Sequence, residues 1–106
     1  MELALEWPRG KLLLDLRRIS IGRLPTCRVV LDDDTQVSGL HAELIPTDQG
    51  CLLIDVGSMN GTFVNGRRLL TDVPYTLHSG DKIRIGRTEF RFWMRVTAIQ
   101  QWQRVK

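Results

Sequence analysis

The chain has 106 residues, the length of one domain, and 42% hydrophobic with 25% charged residues exclude a disordered or fibrous protein. Apolar runs such as Leu12–Leu14 and Cys51–Ile54 are far too short to span a bilayer, and no charged segment followed by an apolar stretch opens the chain, so neither a membrane partner nor a secretory leader is expected. The net charge of +3 sets up a mild positive field that favours acidic partners. The excess of Arg over Lys supplies planar forks suited to phosphate or carboxylate, although a solvated basic surface explains the same composition.

The dominant hydrophobic period is two, the signature of strands. A strand near Leu3 to Trp7 opens the chain. Leu12 to Leu16, Ile19 to Ile21, Arg28 to Leu31, His41 to Ile45 and Leu52 to Val56 are further short runs rich in Leu, Ile and Val. Lys82 to Ile85 alternates, and so does Glu89 to Val96, which places Phe90, Phe92, Met94 and Val96 on one face and Glu89, Arg91, Trp93 and Arg95 on the other. Turn residues punctuate these runs: Pro8-Arg9-Gly10, Asp32-Asp33-Asp34, Asp48-Gln49-Gly50, Asn60-Gly61, Asn65-Gly66 and Ser79-Gly80-Asp81. Asn65-Gly66 reads as a two-residue hairpin turn, because Asn-Gly supplies the positive φ angles such a turn needs. About ten or eleven short strands with no convincing helix predict an all-β fold, an antiparallel sandwich or barrel. The tail, residues 97–106, is ambiguous: Ala98, Ile99, Trp102 and Val105 sit at helix-like spacing.

Three loops follow one another in fixed order: Ile21-Gly22-Arg23, then Val37-Ser38-Gly39-Leu40-His41-Ala42, then Gly57-Ser58-Met59-Asn60-Gly61-Thr62 running on to Asn65-Gly66. With Ser79-Gly80-Asp81 and Ile85-Gly86 behind them, these motifs resemble the forkhead-associated (FHA) family, whose pattern is Gly-Arg, Ser-x-x-His-Ala and Gly-Ser-x-Asn-Gly-Thr-x-x-Asn-Gly. The resemblance covers about residues 3–96, which sets the expected domain at 1–96. It implies an eleven-stranded β-sandwich with binding loops at one end, and a phosphothreonine-dependent protein-interaction module acting in Ser/Thr kinase signalling. The implied partner is a phosphothreonine-containing protein, a Ser/Thr kinase or its substrate.

A phosphothreonine carries about −1.5 to −2 charge and three strong acceptor oxygens, so its receptor needs a forked cation and smaller donors. Arg23 offers the fork, Gly22 the backbone freedom to aim it, and Ser38 a hydroxyl beside backbone N–H groups, including that of Gly39. By the resemblance, Arg23 and Ser38 hold phosphate, and Asn60 hydrogen-bonds the peptide backbone just after the phosphoresidue. His41 braces the loops, with Gly61 at the adjoining turn. Outside the motif context, Arg23 would read as a surface arginine and Ser38 as a turn residue. Asn65 and Gly66 are assigned to hairpin chemistry and His78 to nothing.

Two positions depart from the family pattern. Gly39 stands where many phosphothreonine binders carry a basic or amide side chain, and Met59 where many carry threonine. Each lost neutral hydrogen bond costs about 0.5–1.5 kcal/mol, which implies a site of ordinary or reduced affinity. The departures keep a second reading open, a degenerate FHA domain that binds a partner, or itself, without phosphate; a monomer or weak dimer is expected. A basic nucleic-acid-binding β-domain is disfavoured, since the seven aromatics include the core candidates Phe90 and Phe92 and the basic residues are dispersed. Catalysis is not expected, because Ser38 and His41 three apart do not make a nucleophile and base. Asp32 to Asp34 lack the spacing of a calcium loop and read as a solvated turn. No metal or cofactor is expected. Cys27 and Cys51 read as reduced, packed thiols, with a disulfide requiring an oxidising compartment, and a cytoplasmic site follows.

Overall fold

The computed structural model describes residues 1–95. The ambiguous tail 97–106, and Val96 at the end of the last predicted strand, lie outside the described residues. Eleven strands run in chain order: β1 (Glu2–Trp7), β2 (Gly10–Leu14), β3 (Ile19–Gly22), β4 (Val29–Val30), β5 (Ala42–Thr47), β6 (Gly50–Asp55), β7 (Thr62–Val64), β8 (Arg67–Arg68), β9 (Tyr75–Thr76), β10 (Lys82–Ile85) and β11 (Thr88–Arg95). They form a six-stranded sheet, β2-β1-β11-β10-β7-β8, and a five-stranded sheet, β4-β3-β5-β6-β9. The expected sandwich is therefore present. Its pairings are antiparallel except β3 with β4, which run parallel. Among the described residues no helix is long and apolar enough to cross a membrane.

Alternation builds the core. In β11, Phe90 and Phe92 are buried while Glu89 and Trp93 on the opposite face are exposed. Leu3, Leu5, Ile83 and Ile85 of one sheet meet Ile19, Ile21, Leu44 and Leu53 of the other in one cluster. Burying each such side chain stabilises the fold by about 1.5–3 kcal/mol. Pro46 sits in an interior strand without breaking it. Strand β3 pairs with β5 only at Ala42 to Leu44, so no neighbour on that side asks Pro46 for an N–H. Strand β9 was not among the predicted runs: it is two residues long and carries no alternation of its own.

The register places the loops. Ile21 pairs with Ala42 and Ala42 with Asp55, so the end of β3, the start of β5 and the end of β6 share one end of their sheet. In the other sheet Ile85 pairs with both Thr62 and Thr88. Asp55 Oδ2 accepts a hydrogen bond from Thr62 Oγ1 at 2.7 Å, which joins those two ends. The segments 22–28, 31–41 and 56–61 and the β10–β11 turn thus gather at one end of the sandwich. The Asn65-Gly66 turn lies at the other end, where Asn65 N donates to Lys82 O.

Candidate functional site

Each binding loop is held to its neighbour by a small number of hydrogen bonds. Arg23 N donates to Ser38 O, and Leu24 N to Gly39 O, both at 3.1 Å, so the Gly-Arg loop lies directly along the Ser-Gly loop. Gly22 permits this contact by lacking a side chain: a Cβ there would lie 2.1 Å from Gly39 O. The role of Gly22 is therefore close backbone approach. The turn geometry expected from sequence does not enter, since its φ is not positive. Arg23 is exposed and Ser38 half-buried, side by side at the end of the sandwich. Ser38 Oγ accepts from Met59 N at 3.0 Å, which leaves its own proton free to donate outward.

His41 is fully buried and joins two loops. Its Nδ1 accepts from Ser38 N at 3.0 Å, so Nε2 carries the proton and donates to Gly61 O at 2.8 Å. The ring is a strut between the serine loop and the asparagine loop, and with both nitrogens occupied it cannot act as a base toward Ser38 Oγ. Asn60 Nδ2 donates to Gln36 O at 2.9 Å, which ties the asparagine loop back to the segment before Ser38. Its Oδ1 stays available to a peptide N–H. Gly61 adopts φ +92°, a left-handed value that a side chain resists.

Two buried aspartates carry the site from beneath. Asp55 accepts from Gly57 N, Ser58 N, Ser58 Oγ and Thr62 Oγ1. Burial alone would raise its pKa; the hydrogen bonds from Ser58 and Thr62, with the two backbone N–H groups, outweigh it and hold the carboxyl below its ordinary value. Asp34 corrects the solvated-turn expectation for its triplet. Asp32 and Asp33 are exposed, but Asp34 is 6% exposed and turned inward. It accepts from Gln36 N, Arg87 N and Thr88 Oγ1. Here too burial pushes the pKa up, and the bonds from Arg87, Thr88 and Gln36 together with the Arg87 charge bring it below the ordinary value. Gly86 is required opposite it, since a Cβ there would meet both Asp34 carboxylate oxygens at 2.7 Å.

Arg23, Ser38, Gly39, His41, Asn60 and Gly61 thus come together, while Asn65 and Gly66 stand apart from them. Asn65 (φ 50°) and Gly66 (φ 85°) form the expected hairpin turn. The Asn65 side chain does more than turn: it donates to Asp81 Oδ1 and accepts from Lys82 N, which locks the hairpin to the Ser79–Asp81 hinge. Sequence reasoning gave no role to Asp34, Asp55 or Arg68. For Asp55 a signal existed in the spacing Asp55-x-Gly57-Ser58, a carboxylate placed to accept from the turn that follows it. A groove of about 520 Å³ is lined by Trp7, Val30, Asp33 and Arg87 among others and by none of the four predicted peptide contacts, Arg23, Ser38, Gly39 and Asn60. An end of this form suits an extended peptide better than an enclosed small molecule.

Comparison with known proteins points the same way. The sequence pattern of the FHA domain matches residues 19–86. The oxoglutarate dehydrogenase inhibitor of Corynebacterium diphtheriae is 40% identical over 83 residues, 78% of this chain and 55% of that protein. The glycogen accumulation regulator GarA of Mycobacterium tuberculosis is 39% identical over 83 residues, 78% of this chain and 49% of its own length. The chain thus spans about half the length of these two relatives. A solved domain from work on phosphothreonine-dependent FHA domain interactions superposes with a TM-score of 0.82 at 31% identity, covering 92% of this chain and all of that one.

Proposed function

Because the chain belongs to the FHA domain family, we propose that it binds a phosphothreonine-bearing segment of another protein, with Arg23 and Ser38 on the phosphate and Asn60 on the peptide backbone. The observation that carries this reading is the bonded contact between the Gly22-Arg23 loop and the Ser38-Gly39 loop. It sets the backbone of Arg23, an exposed residue, beside Ser38, whose hydroxyl proton is free to donate. A planar fork and a neutral donor on adjoining loops match the needs of a dianionic phosphate. The Gly39 backbone N–H offers a further donor on the same loop.

The partner is a phosphothreonine-containing protein, a Ser/Thr kinase or a substrate of one, and the domain acts as a recognition module that performs no chemistry. The regulatory relatives named above favour this role. Free, buried Cys27 and Cys51 favour a reducing compartment, most simply the cytoplasm. We take residues 1–96 as the FHA unit.

The test is fluorescence anisotropy against a degenerate phosphothreonine peptide library, with the unphosphorylated library and Arg23→Ala beside it. Phosphate-dependent binding lost in Arg23→Ala is expected. Equal binding of both libraries would discard the phosphate reading. One observation favours a second reading in that case: Leu13 (61% exposed) and Trp93 (41% exposed) flank Ala4 across three paired strands, a small exposed apolar cluster among charged residues that a second copy could cover. A mass that rises with concentration and falls in Leu13→Lys would establish it.

A further inference from the structure

The outer face of the six-stranded sheet carries a basic row that the phosphate site does not use. Arg84 on β10, Phe63 on β7 and Arg68 on β8 are successive cross-strand partners, so their side chains stand on one face. The Arg84 guanidinium lies 4.1 Å from the centre of the Phe63 ring, a cation–π contact. Arg68 reaches upward across Gly61: a Cβ on that glycine would sit 2.7 Å from Arg68 Nε and 3.0 Å from its Cζ. The row therefore starts at the residue after Asn60 and is continuous with the binding end.

Neither guanidinium is neutralised. Ion pairs among the described residues engage Arg9, Arg17, Arg18, His78 and Arg95, leaving out Arg68 and Arg84. Glu89 is the register partner of Arg84 on β11, yet Arg84 packs on Phe63 instead. Both arginines are exposed; Arg84 is held against an aromatic ring, and Arg68 occupies the space that Gly61 leaves open. A cation already fixed in position loses little further freedom when it takes an anion.

We propose that Arg68 and Arg84 form a second subsite that takes the carboxylate of an Asp or Glu flanking the phosphothreonine in the same bound peptide. The proposal rests on the phosphothreonine reading. It assigns to the β7–β8–β10 face a share of sequence preference that Arg23, Ser38 and Asn60 do not supply.

The experiment measures the affinity of the whole chain for three phosphothreonine peptides: one flanked by Ala, one with Asp residues before the phosphothreonine and one with Asp residues after it. Wild type, Arg68→Gln and Arg84→Gln are compared, with urea unfolding of each as a check on folding. Asp on one flank is expected to tighten wild-type binding about three- to tenfold. That gain should vanish in Arg68→Gln, shrink in Arg84→Gln, and weaken as salt is raised. The Ala-flanked peptide should bind all three proteins within about twofold. An Asp gain of equal size in wild type and both variants, or no gain on either flank, overturns this proposal and leaves phosphothreonine recognition standing. Failure of wild type to bind even the Ala-flanked phosphopeptide overturns both.

Discussion

Gly39 and Met59 set the strength of the site without holding it together. Met59 is 83% exposed at the tip of its loop, and only its backbone N–H is used, by Ser38 Oγ. A Cβ on Gly39 would press only on the exposed, flexible Leu24 side chain, at 3.2 Å, which must give by a few tenths of an ångström to admit it. Met59→Thr and Gly39→Arg should each add one donor and tighten phosphopeptide binding about three- to tenfold, with stability unchanged within about 0.5 kcal/mol. Titration of each variant with one phosphothreonine peptide decides this; no gain in either would mean that these positions do not face the phosphate. The buried aspartates behave differently. Asp34 and Asp55 have lowered pKa values in the folded state, so the stability they lend is fully present above the ordinary carboxylate value of about 3.9. It is lost as pH falls through their lower folded values. Urea midpoints should therefore drop steadily below about pH 4. Asp55→Asn should cost about 1–3 kcal/mol at pH 7 and flatten that dependence. An unaltered acid profile would remove Asp55 from the account.

Among the structural elements, the decisive contact is between two loops that belong to no common hairpin. Gly22 and Gly39 are seventeen positions apart, yet their backbones lie so close that no Cβ on Gly22 fits against Gly39 O. Gly22→Ala should force them apart, breaking the Arg23–Ser38 and Leu24–Gly39 hydrogen bonds. The expected cost is about 1–3 kcal/mol in stability, together with a loss of phosphopeptide affinity. Gly39→Ala, whose Cβ meets only a side chain, should leave both nearly unchanged. Equal behaviour of the two variants would show that the approach at Gly22 is not what seats Arg23 beside Ser38. The Asn65-Gly66 hairpin illustrates the opposite situation. Its positive φ angles follow from two adjacent residues, so it is readable locally, whereas the bonds from Asn65 to Asp81 and Lys82 depend on a partner sixteen or seventeen positions away.

Across the whole molecule, the two cysteines report on the integrity of the sandwich. Cys51 is 2% exposed inside the core cluster, and burial pushes its thiol up to about 12. Cys27 is 7% exposed beneath the binding loops, with Sγ 3.4 Å from Gly39 O. Neither thiolate is within reach of an aqueous reagent in the folded state, so labelling of Cys51 should follow global unfolding and accelerate with urea in step with loss of structure. If Cys27 labels much faster than Cys51, the binding end opens on its own while the core stays closed. Rapid labelling of Cys51 in the native protein would contradict the packing of the core.

Much of this molecule was written in local pattern. Period-two alternation placed Phe90 and Phe92 inside and Trp93 outside, Asn-Gly placed a hairpin, and the ordered loop motifs carried the family, because each depends on residues near one another in the chain. What the sequence by itself left undetermined depended on distance in space. Asp34 looked like one of three solvated carboxylates until the β10–β11 turn, more than fifty positions away, folded over it with an N–H and a hydroxyl. Arg68 carried no sequence signal; only the fold brought it across Gly61, next to Asn60. Burial and neutralisation are properties of neighbours brought together by sheet register. A one-dimensional pattern specifies which face a side chain takes; only the packing of two sheets specifies what it meets there.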